Sequence, residues 1–252
     1  MSGHSHWAGI KHKKELADSK RGKIFSKLTK DIMLAVRDAG ADPDSNLRLR
    51  YAIDKAKEAN MPKNSIERAI QKVSGAGDAN ALAELTYEGY GPGGTAVLAE
   101  VITDNRNRTA SELRKIFDTS GGKMGESGCV SFLFDKKGII TISVSSTTEE
   151  KLMEVILEAG AENMAQEGDM FTVTTAPTEM HAVRTEIEKA GIKIDSSELA
   201  QIPQNTIELD EEKGRKALNL ISRLEDHDDV QNVYTNFMPS QAMVDAFESE
   251  QK

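Results

Sequence analysis

The spacing of apolar residues changes near residue 80 and divides the chain into a helical part and a mixed part. Between residues 23 and 39 the apolar side chains recur every three or four positions, which predicts an amphipathic helix ended by Gly40. Beyond residue 84, runs rich in β-branched residues alternate with helical segments. One regular architecture does not accommodate both patterns, so we expect an α+β multidomain protein that begins with a helical bundle.

Two further helices are predicted in the first part of the chain. One runs from about residue 46 to residue 59 and is ended by a proline-containing segment. The next begins at Asn64, whose side chain can cap it together with Glu67 in a capping box. Residues 74–83 are rich in Gly and Ala, which predicts a linker. Residues 1–80 are therefore expected to form a basic helical domain.

The mixed part contains one uninterrupted and one interrupted set of strands and helices. Residues 135–204 follow the order βαββαβ, which is that of a ferredoxin-like fold. Residues 84–134, ending in a strand at 129–134, and residues 205–240 each contain one β-α-β unit, and together they also give βαββαβ. We therefore predict two ferredoxin-like domains, with residues 135–204 inserted in a split domain. The predicted elements of the insert are strands at 139–144, 161–166, 170–175 and 192–202 and helices at 149–159 and 178–190.

Opposite charges in the two parts of the chain indicate a polyanionic partner. Residues 1–72 hold 16 Lys and Arg against 9 Asp and Glu, whereas residues 73–252 hold 16 against 32. Because the net charge of the whole chain is -9, its acidic bulk would repel a polyanion everywhere except at the basic end. We expect that end to bind nucleic acid.

The basic N-terminal tract combines cations with an aromatic side chain. Lys and Arg neutralise phosphates, and the indole of Trp7 offers a flat face on which an unpaired base can stack. The alternative is a solubilising basic tail with Trp7 packed on the bundle. The candidate nucleic-acid-binding residues of this region are Trp7, Lys11, His12, Lys13, Lys14, Lys20, Arg21, Lys23 and Lys27.

A second candidate site is the segment Asp-Asn-Arg-Asn-Arg-Thr at residues 104–109, which joins a predicted strand to the N-terminus of a predicted helix. Backbone N–H groups in such a turn, with the guanidinium groups of Arg106 and Arg108, can bind a phosphate. The alternative is that Asp and Asn cap the turn while the arginines pair with nearby acids. Both interpretations stay open at this point.

The glycine-rich segment Tyr-Glu-Gly-Tyr-Gly-Pro-Gly-Gly at residues 87–94 is the tract most similar to a nucleotide-binding loop. It precedes a strand and lacks the Lys-Ser/Thr ending of a phosphate-binding loop. We therefore interpret it as a structural loop.

No arrangement typical of a catalytic site is evident in the sequence. Cys129 lies in a predicted strand between Gly128 and Val130, which favours a core position over a nucleophile. The acidic residues 225–229 can bind a cation or form a solvated loop, and the loop explains them with less. We predict a protein that is not an enzyme and uses no metal or other cofactor.

The distribution of apolar residues also bears on location. No apolar run approaches the roughly 18 residues that a membrane span needs. The first ten residues lack the apolar segment of a secretory signal, and a single cysteine forms no internal disulfide. We expect a soluble cytoplasmic protein without a membrane partner.

Five separated tracts of the chain form a recognisable set: Gly-His-Ser-His-Trp at 3–7, Lys-Arg-Gly-Lys-Ile-Phe-Ser-Lys at 20–27, and those at 87–94, 104–109 and 128–134. Together, and in this order, they resemble the YebC/PmpR family. The resemblance covers nearly the whole chain and implies an N-terminal helical domain and two α+β domains, the last inserted within the middle one. The family's usual Asn-Pro-Arg-Leu-Arg is Asn-Leu-Arg-Leu-Arg at residues 46–50 here, so the second helix lacks the proline that usually marks its start.

The resemblance implies two alternative targets. Family members are generally described as cytoplasmic DNA-binding transcriptional regulators, whereas others, including the mitochondrial translational activator of cytochrome c oxidase, act on the ribosome. Transcription regulation is therefore the first expectation, and a ribosome-associated translation factor that binds ribosomal RNA is the alternative. The sequence shows no convincing helix-turn-helix with a polar recognition face, and Trp7 among cations suits unpaired RNA bases. A third class, a small-molecule sensor, rests on analogy with other ferredoxin-like sheets.

Overall fold

Three helices form the first part of the chain in the computed structural model, which describes residues 18–74 and 82–250. They are α1 (Asp18–Ala39), α2 (Leu47–Glu58) and α3 (Lys63–Ser74). Helix α3 begins at Lys63, so Asn64 lies within its first turn rather than at the N-cap position. The capping box predicted for Asn64 is therefore wrong.

Asn46 defines the start of α2, and Leu47 follows it where the motif of the YebC/PmpR family has proline. Its side-chain oxygen accepts a hydrogen bond from the backbone N–H of Leu49 at 3.0 Å, which caps the helix. Its amide nitrogen donates to the carbonyl oxygens of Ala35 at 2.8 Å and Gly40 at 2.7 Å. This buried side chain thus joins the end of α1 to the start of α2, and an N-cap of this kind contributes about 1 kcal/mol.

The apolar faces of the three helices meet in one core. Helix α1 packs against both α2 and α3. Burial of such side chains is the main favourable term in folding, at about 25 cal/mol per Å² of apolar surface. The buried members of this core are Leu28, Ile32, Ala35, Val36, Leu49, Ala52, Ala56, Met61, Ile66 and Ala69.

The second part of the chain forms two four-stranded sheets, of which the first is interrupted in sequence. Its elements are β1 (Ala83–Tyr90), β2 (Ala96–Thr103), α4 (Arg106–Thr119), β3 (Lys123–Met124), α7 (Glu211–Glu225) and β8 (Val230–Thr235), and α8 (Gln241–Glu250) follows. Neighbouring strands are all antiparallel, in the order β3-β1-β2-β8. Buried residues of α4 and α7, including Phe117 and Leu220, help to form the core of this sheet.

The elements of the interrupted sheet differ from the predicted β-α-β units in several places. At the start of residues 205–240, the predicted strand is only an isolated bridge between Ile207 and Phe237. Strand β1 begins at Ala83, the last residue of the predicted linker, and ends within the segment 87–94 that was interpreted as a structural loop. The strand predicted at residues 129–134 is instead a loop with a short 3-10 turn at Ser131–Leu133. The reason is Glu88, whose buried carboxylate accepts the backbone N–H groups that a strand would need for pairing. The order is therefore ββαβ before the insert and αβ after it.

The second sheet is continuous in sequence. Its elements are β4 (Phe134–Ser143), α5 (Glu149–Ala159), β5 (Asn163–Glu167), β6 (Met170–Thr175), α6 (Met180–Lys189) and β7 (Ser196–Pro203). The strands run in the order β5-β6-β4-β7 with antiparallel neighbours, and the elements follow the predicted ferredoxin-like order βαββαβ. The mixed α+β class with an N-terminal helical bundle and two antiparallel sheets is thus confirmed.

The described residues divide into two compact units. Phe134–Gln204 forms one, and the described residues before and after that segment form the other. In the first unit, the backbone of Gly138 approaches Met180 so closely that a Cβ atom would lie 2.7 Å from its Cβ, which brings α6 directly onto the sheet. No helix within residues 18–74 and 82–250 is long and apolar enough to cross a membrane.

Candidate nucleic-acid interface

The structure places the predicted binding residues in three groups. Trp7, Lys11, His12, Lys13 and Lys14 lie outside the described residues. The others belong to the start of α1 or to the first turn of α4. In the first turns of α1 the backbone includes Lys20, and the side chain of Arg21 is exposed.

Lys23 and Lys27 contact the C-terminal end of α7. The Nζ atom of Lys23 donates to the carbonyl oxygen of Asp226 at 3.0 Å, and that of Lys27 donates to the carbonyl oxygen of Glu225 at 2.5 Å. A helix C-terminus carries unpaired carbonyl groups and a partial negative charge, so it attracts cations. Burial lowers the pKa of Lys27 to about 8, although nearby carboxylates, Glu225 first among them, oppose this change.

Lys30 continues this contact one turn further along α1. Its Nζ atom donates to the carbonyl oxygen of Asp228 at 3.0 Å and to Oδ1 of Asp229 at 2.6 Å. Lysines at positions 23, 27 and 30 lie on one face of a helix because they are four and three residues apart. We call residues 225–229 the acidic loop, and this face of α1 is docked on it.

Asp229 is the centre of a buried polar network. Its side chain is 5% exposed. Its Oδ2 atom accepts from the hydroxyls of Thr103 at 3.1 Å and Thr109 at 2.7 Å and from Arg108 at 3.0 Å. Burial alone would raise the pKa of this carboxyl, but the bonds from Lys30, Thr109 and Arg108 outweigh it and hold the pKa well below its ordinary value.

In the segment at residues 104–109, an asparagine caps the helix and an arginine pairs with nearby acids, which was one of the two predicted alternatives. Asn105 caps α4 by accepting the backbone N–H of Arg108 at 3.1 Å. The guanidinium group of Arg108 also pairs with Asp104 at 2.8 Å, in addition to Asp229. The side chain of Arg106 is exposed. The backbone carbonyl oxygen of Arg106 accepts a hydrogen bond from the hydroxyl of Tyr87 at 3.2 Å.

Sequence reasoning missed Lys30, Asp229 and the two threonines of the network. A signal was present, since three lysines with helical spacing and a run of acids 200 residues later have complementary charges. Complementary charges alone do not identify a contact between segments so far apart in sequence. Only the fold brings α1, the turn before α4 and the acidic loop together.

The glycine-rich segment at residues 87–94 is structural. Its backbone closes a turn in which the N–H of Gly91 donates to the carbonyl oxygen of Thr95 at 2.7 Å. Gly93 has a φ of 73° and lies so close to Leu209 that a Cβ atom would be 2.4 Å from one of its methyl groups. A side chain is excluded at this position for both reasons.

Glu88 organises the segment that contains Cys129. Its carboxylate accepts the backbone N–H groups of Gly128, Val130 and Ser131, each at 2.8 Å. Burial opposes ionisation, yet these bonds lower the pKa of Glu88. Burial and the charge of Glu88 raise the pKa of Cys129, which disfavours the thiolate form of its side chain.

Metal ligands are not grouped in the described part of the chain. Within residues 18–74 and 82–250, no group of three or more His, Cys, Asp and Glu side chains has an arrangement that could hold a metal ion. The acidic loop instead contacts α1 through three of its backbone carbonyl groups and through the side chain of Asp229.

Comparison with known proteins identifies the family. The family described as the TACO1/YebC protein N-terminal domain matches residues 5–76, and that described as the TACO1/YebC second and third domain matches residues 82–237. A crystal structure of a conserved hypothetical protein, Aq1575 from Aquifex aeolicus, has a TM-score of 0.85 and 45% sequence identity, and the match covers 94% of this chain and 98% of that one.

Two similar relatives are named probable transcriptional regulatory proteins. The protein from Geobacter sp. (strain M21) is 54% identical over 237 residues, which cover 94% of this chain and 96% of the relative. The protein from Geotalea uraniireducens (strain Rf4) is 54% identical over 245 residues, which cover 97% of this chain and 99% of the relative. The resemblance to the YebC/PmpR family is confirmed, and the chain belongs to the TACO1/YebC family.

Proposed function

We propose that this protein is a DNA-binding regulator of transcription in the cytoplasm and that it acts without catalysis. The observation that carries the proposal is the concentration of positive charge at the start of an otherwise acidic chain. Such a distribution favours one orientation of the protein on a polyanion. The names of relatives at 54% identity support a regulatory role.

The contacts of α1 support a division of labour among its cations. Lys23, Lys27 and Lys30 are held by the acidic loop, so they fix the orientation of α1. Lys20 and Arg21 precede this face, and with Lys11, His12, Lys13 and Lys14 they are proposed to bind phosphates. Arg106 is proposed as a further phosphate contact, while Arg108 holds the turn against Asp229.

The pKa of the Cys129 thiol supports the part of the proposal that concerns the absence of catalysis. A nucleophilic cysteine needs a lowered thiol pKa, and that of Cys129 is raised. The carbonyl oxygen of the same residue accepts the hydroxyl of Tyr90 at 2.9 Å, which ties it to the interrupted sheet. These are properties of a structural cysteine.

A second target, ribosomal RNA, is favoured by one observation. Trp7 stands among cations, and an indole stacks on unpaired bases, which are common in RNA loops and absent from a DNA duplex. This makes a ribosome-associated translation factor the second candidate.

Cross-linking in a lysate distinguishes the two targets. A transcriptional regulator is expected to cross-link to defined DNA sites, with specific binding roughly 10³ to 10⁷ times tighter than non-specific binding. Trp7→Ala is then expected to leave affinity for duplex DNA almost unchanged, and Lys151→Ala, on the insert, serves as a matched surface control. The target is ribosomal RNA instead of DNA if the protein co-sediments with ribosomal particles, cross-links to ribosomal RNA and loses affinity for RNA in Trp7→Ala.

A further inference from the structure

Helices α2 and α3 are joined by a tight connection of four residues, 59–62. Asn60 adopts a left-handed conformation with a φ of 58°, and its N–H donates to the carbonyl oxygen of Lys57 at 2.9 Å. Met61 follows and is buried in the core of the bundle. Two helices with so short a turn, both packed on a third helix, have the connectivity of a helix-turn-helix, which the sequence pattern alone did not indicate.

The outward face of α3 carries side chains that can recognise bases. Ile66 and Ala69 are buried against α1, so the opposite face of the helix is turned to solvent. Asn64, Arg68 and Gln71 are exposed there at positions i, i+4 and i+7, which places them in one row along the helix. None of the three has a hydrogen-bond or ion-pair partner among the described residues.

Cations lie at the N-terminal end of this row. Lys57 and Lys63 flank the connection, with side chains 66% and 88% exposed. Lys63 is 3.7 Å from Glu67, and Lys57 is 3.4 Å from Asp54, so both pairs are loose surface pairs that phosphates can displace. The surroundings of the row therefore suit a polyanion.

We propose that α3 enters the major groove of duplex DNA and reads base edges through Asn64, Arg68 and Gln71. An α-helix fits this groove, where Arg donates two bonds to guanine and Asn or Gln pairs with adenine. Lys57 and Lys63 contact the phosphates beside the groove, as residues around such a turn do. The inference rests on the proposed function and adds to it the element that reads sequence.

Selection from random DNA duplexes with the full-length protein tests this assignment. The protein selects a short motif that contains at least one guanine and one adenine. Arg68→Ala lowers the preference for the guanine by roughly 10- to 100-fold, and Gln71→Ala or Asn64→Ala relaxes an adenine position. Affinity for duplexes without the motif falls by less than about threefold, because phosphate contacts supply that binding. Lys151→Ala changes neither quantity, and circular dichroism shows that all variants are folded.

The outcomes separate this inference from the proposed function. Tight binding to all duplexes alike, or a motif preference unchanged in all three α3 variants, overturns the assignment of α3 and leaves the phosphate-binding segment intact. Preference for a structured RNA over every duplex overturns it as well, in favour of RNA as the target. Absence of binding to any nucleic acid overturns both.

Discussion

A buried carboxylate is stable only where donors replace the water that it has lost, and Asp229 has four such donors. Two are cationic side chains, Lys30 and Arg108, and two are the hydroxyls of Thr103 and Thr109. The donors come from α1, from the end of β2 and from α4, so one side chain joins three elements. Loss of one donor leaves a buried charge incompletely satisfied, and this costs more free energy than the lost bond itself contributed.

Asp229→Asn is therefore expected to lower the free energy of unfolding by about 2–4 kcal/mol at pH 7, because Lys30 and Arg108 lose their buried counter-charge. The pKa of Asp229 is lowered in the folded protein, so its contribution is complete above the ordinary value of 3.8 and is lost as pH falls below it. The difference between the two proteins should thus shrink below about pH 4. Urea unfolding at several pH values measures both effects.

Asp228→Asn is the matched control for this prediction. Asp228 is exposed and contacts Lys30 through its carbonyl oxygen, which the substitution keeps. We expect it to change stability by less than about 0.5 kcal/mol. Equal effects of the two substitutions would show that general charge balance, rather than the buried network, stabilises this region.

The docking of α1 on the acidic loop gives a second prediction, at the level of elements. Burial lowers the pKa of Lys27 to about 8 from 10.5, so between these values the unfolded chain binds more protons than the folded one. The contribution of Lys27 to stability should therefore rise as pH increases from 8 to 10.5, by roughly 1–3 kcal/mol. Comparison of the wild type with Lys27→Met by urea unfolding across this range measures the rise.

Lys115→Met provides the control, because Lys115 is an exposed lysine on α4. The same measurement on this variant corrects for general effects of pH and of the loss of one positive charge. A wild-type advantage over Lys27→Met that stays constant or falls between pH 8 and pH 10 would mean that α1 is not docked as described.

The elements that were predicted correctly are those with strong local periodicity. The amphipathic pattern of residues 23–39 and the strand-helix alternation of the insert follow from local spacing of apolar residues. The strand expected at 129–134 failed because its backbone N–H groups bond to Glu88, 40 residues earlier. Local pattern contains no information on such a distant acceptor.

The same limit applies to the candidate site. Lys23 and Lys27 were predicted to bind nucleic acid, and both lie on the helix expected for this segment. Their partners are carbonyl oxygens at the end of α7, which composition does not reveal. For α3, the helix was predicted, but its start lies at Lys63 rather than at Asn64.

At the scale of the whole molecule, the important feature is that the first and last residues of the segment Phe134–Gln204 lie close together. Phe134 pairs with Pro203 at the ends of β4 and β7, and Gln204 donates to Asp135 at 3.2 Å. The chain therefore leaves and re-enters the interrupted sheet at neighbouring points. Domains with adjacent termini can be inserted into a host with little distortion of it.

The last prediction concerns the independence of the two parts. A fragment of residues 134–204 contains all four strands of its sheet and a core of its own, so we expect it to unfold cooperatively on heating. A fragment of residues 82–133 should not, because β2 loses its pairing with β8 and the apolar face of α7 is missing. Joining residue 133 to residue 205 through a short Gly-Ser linker, in the otherwise full-length chain, should restore cooperative unfolding of the interrupted sheet. Circular dichroism melts on the three proteins decide the matter, and cooperative unfolding of residues 82–133 alone would refute a domain split by an insert.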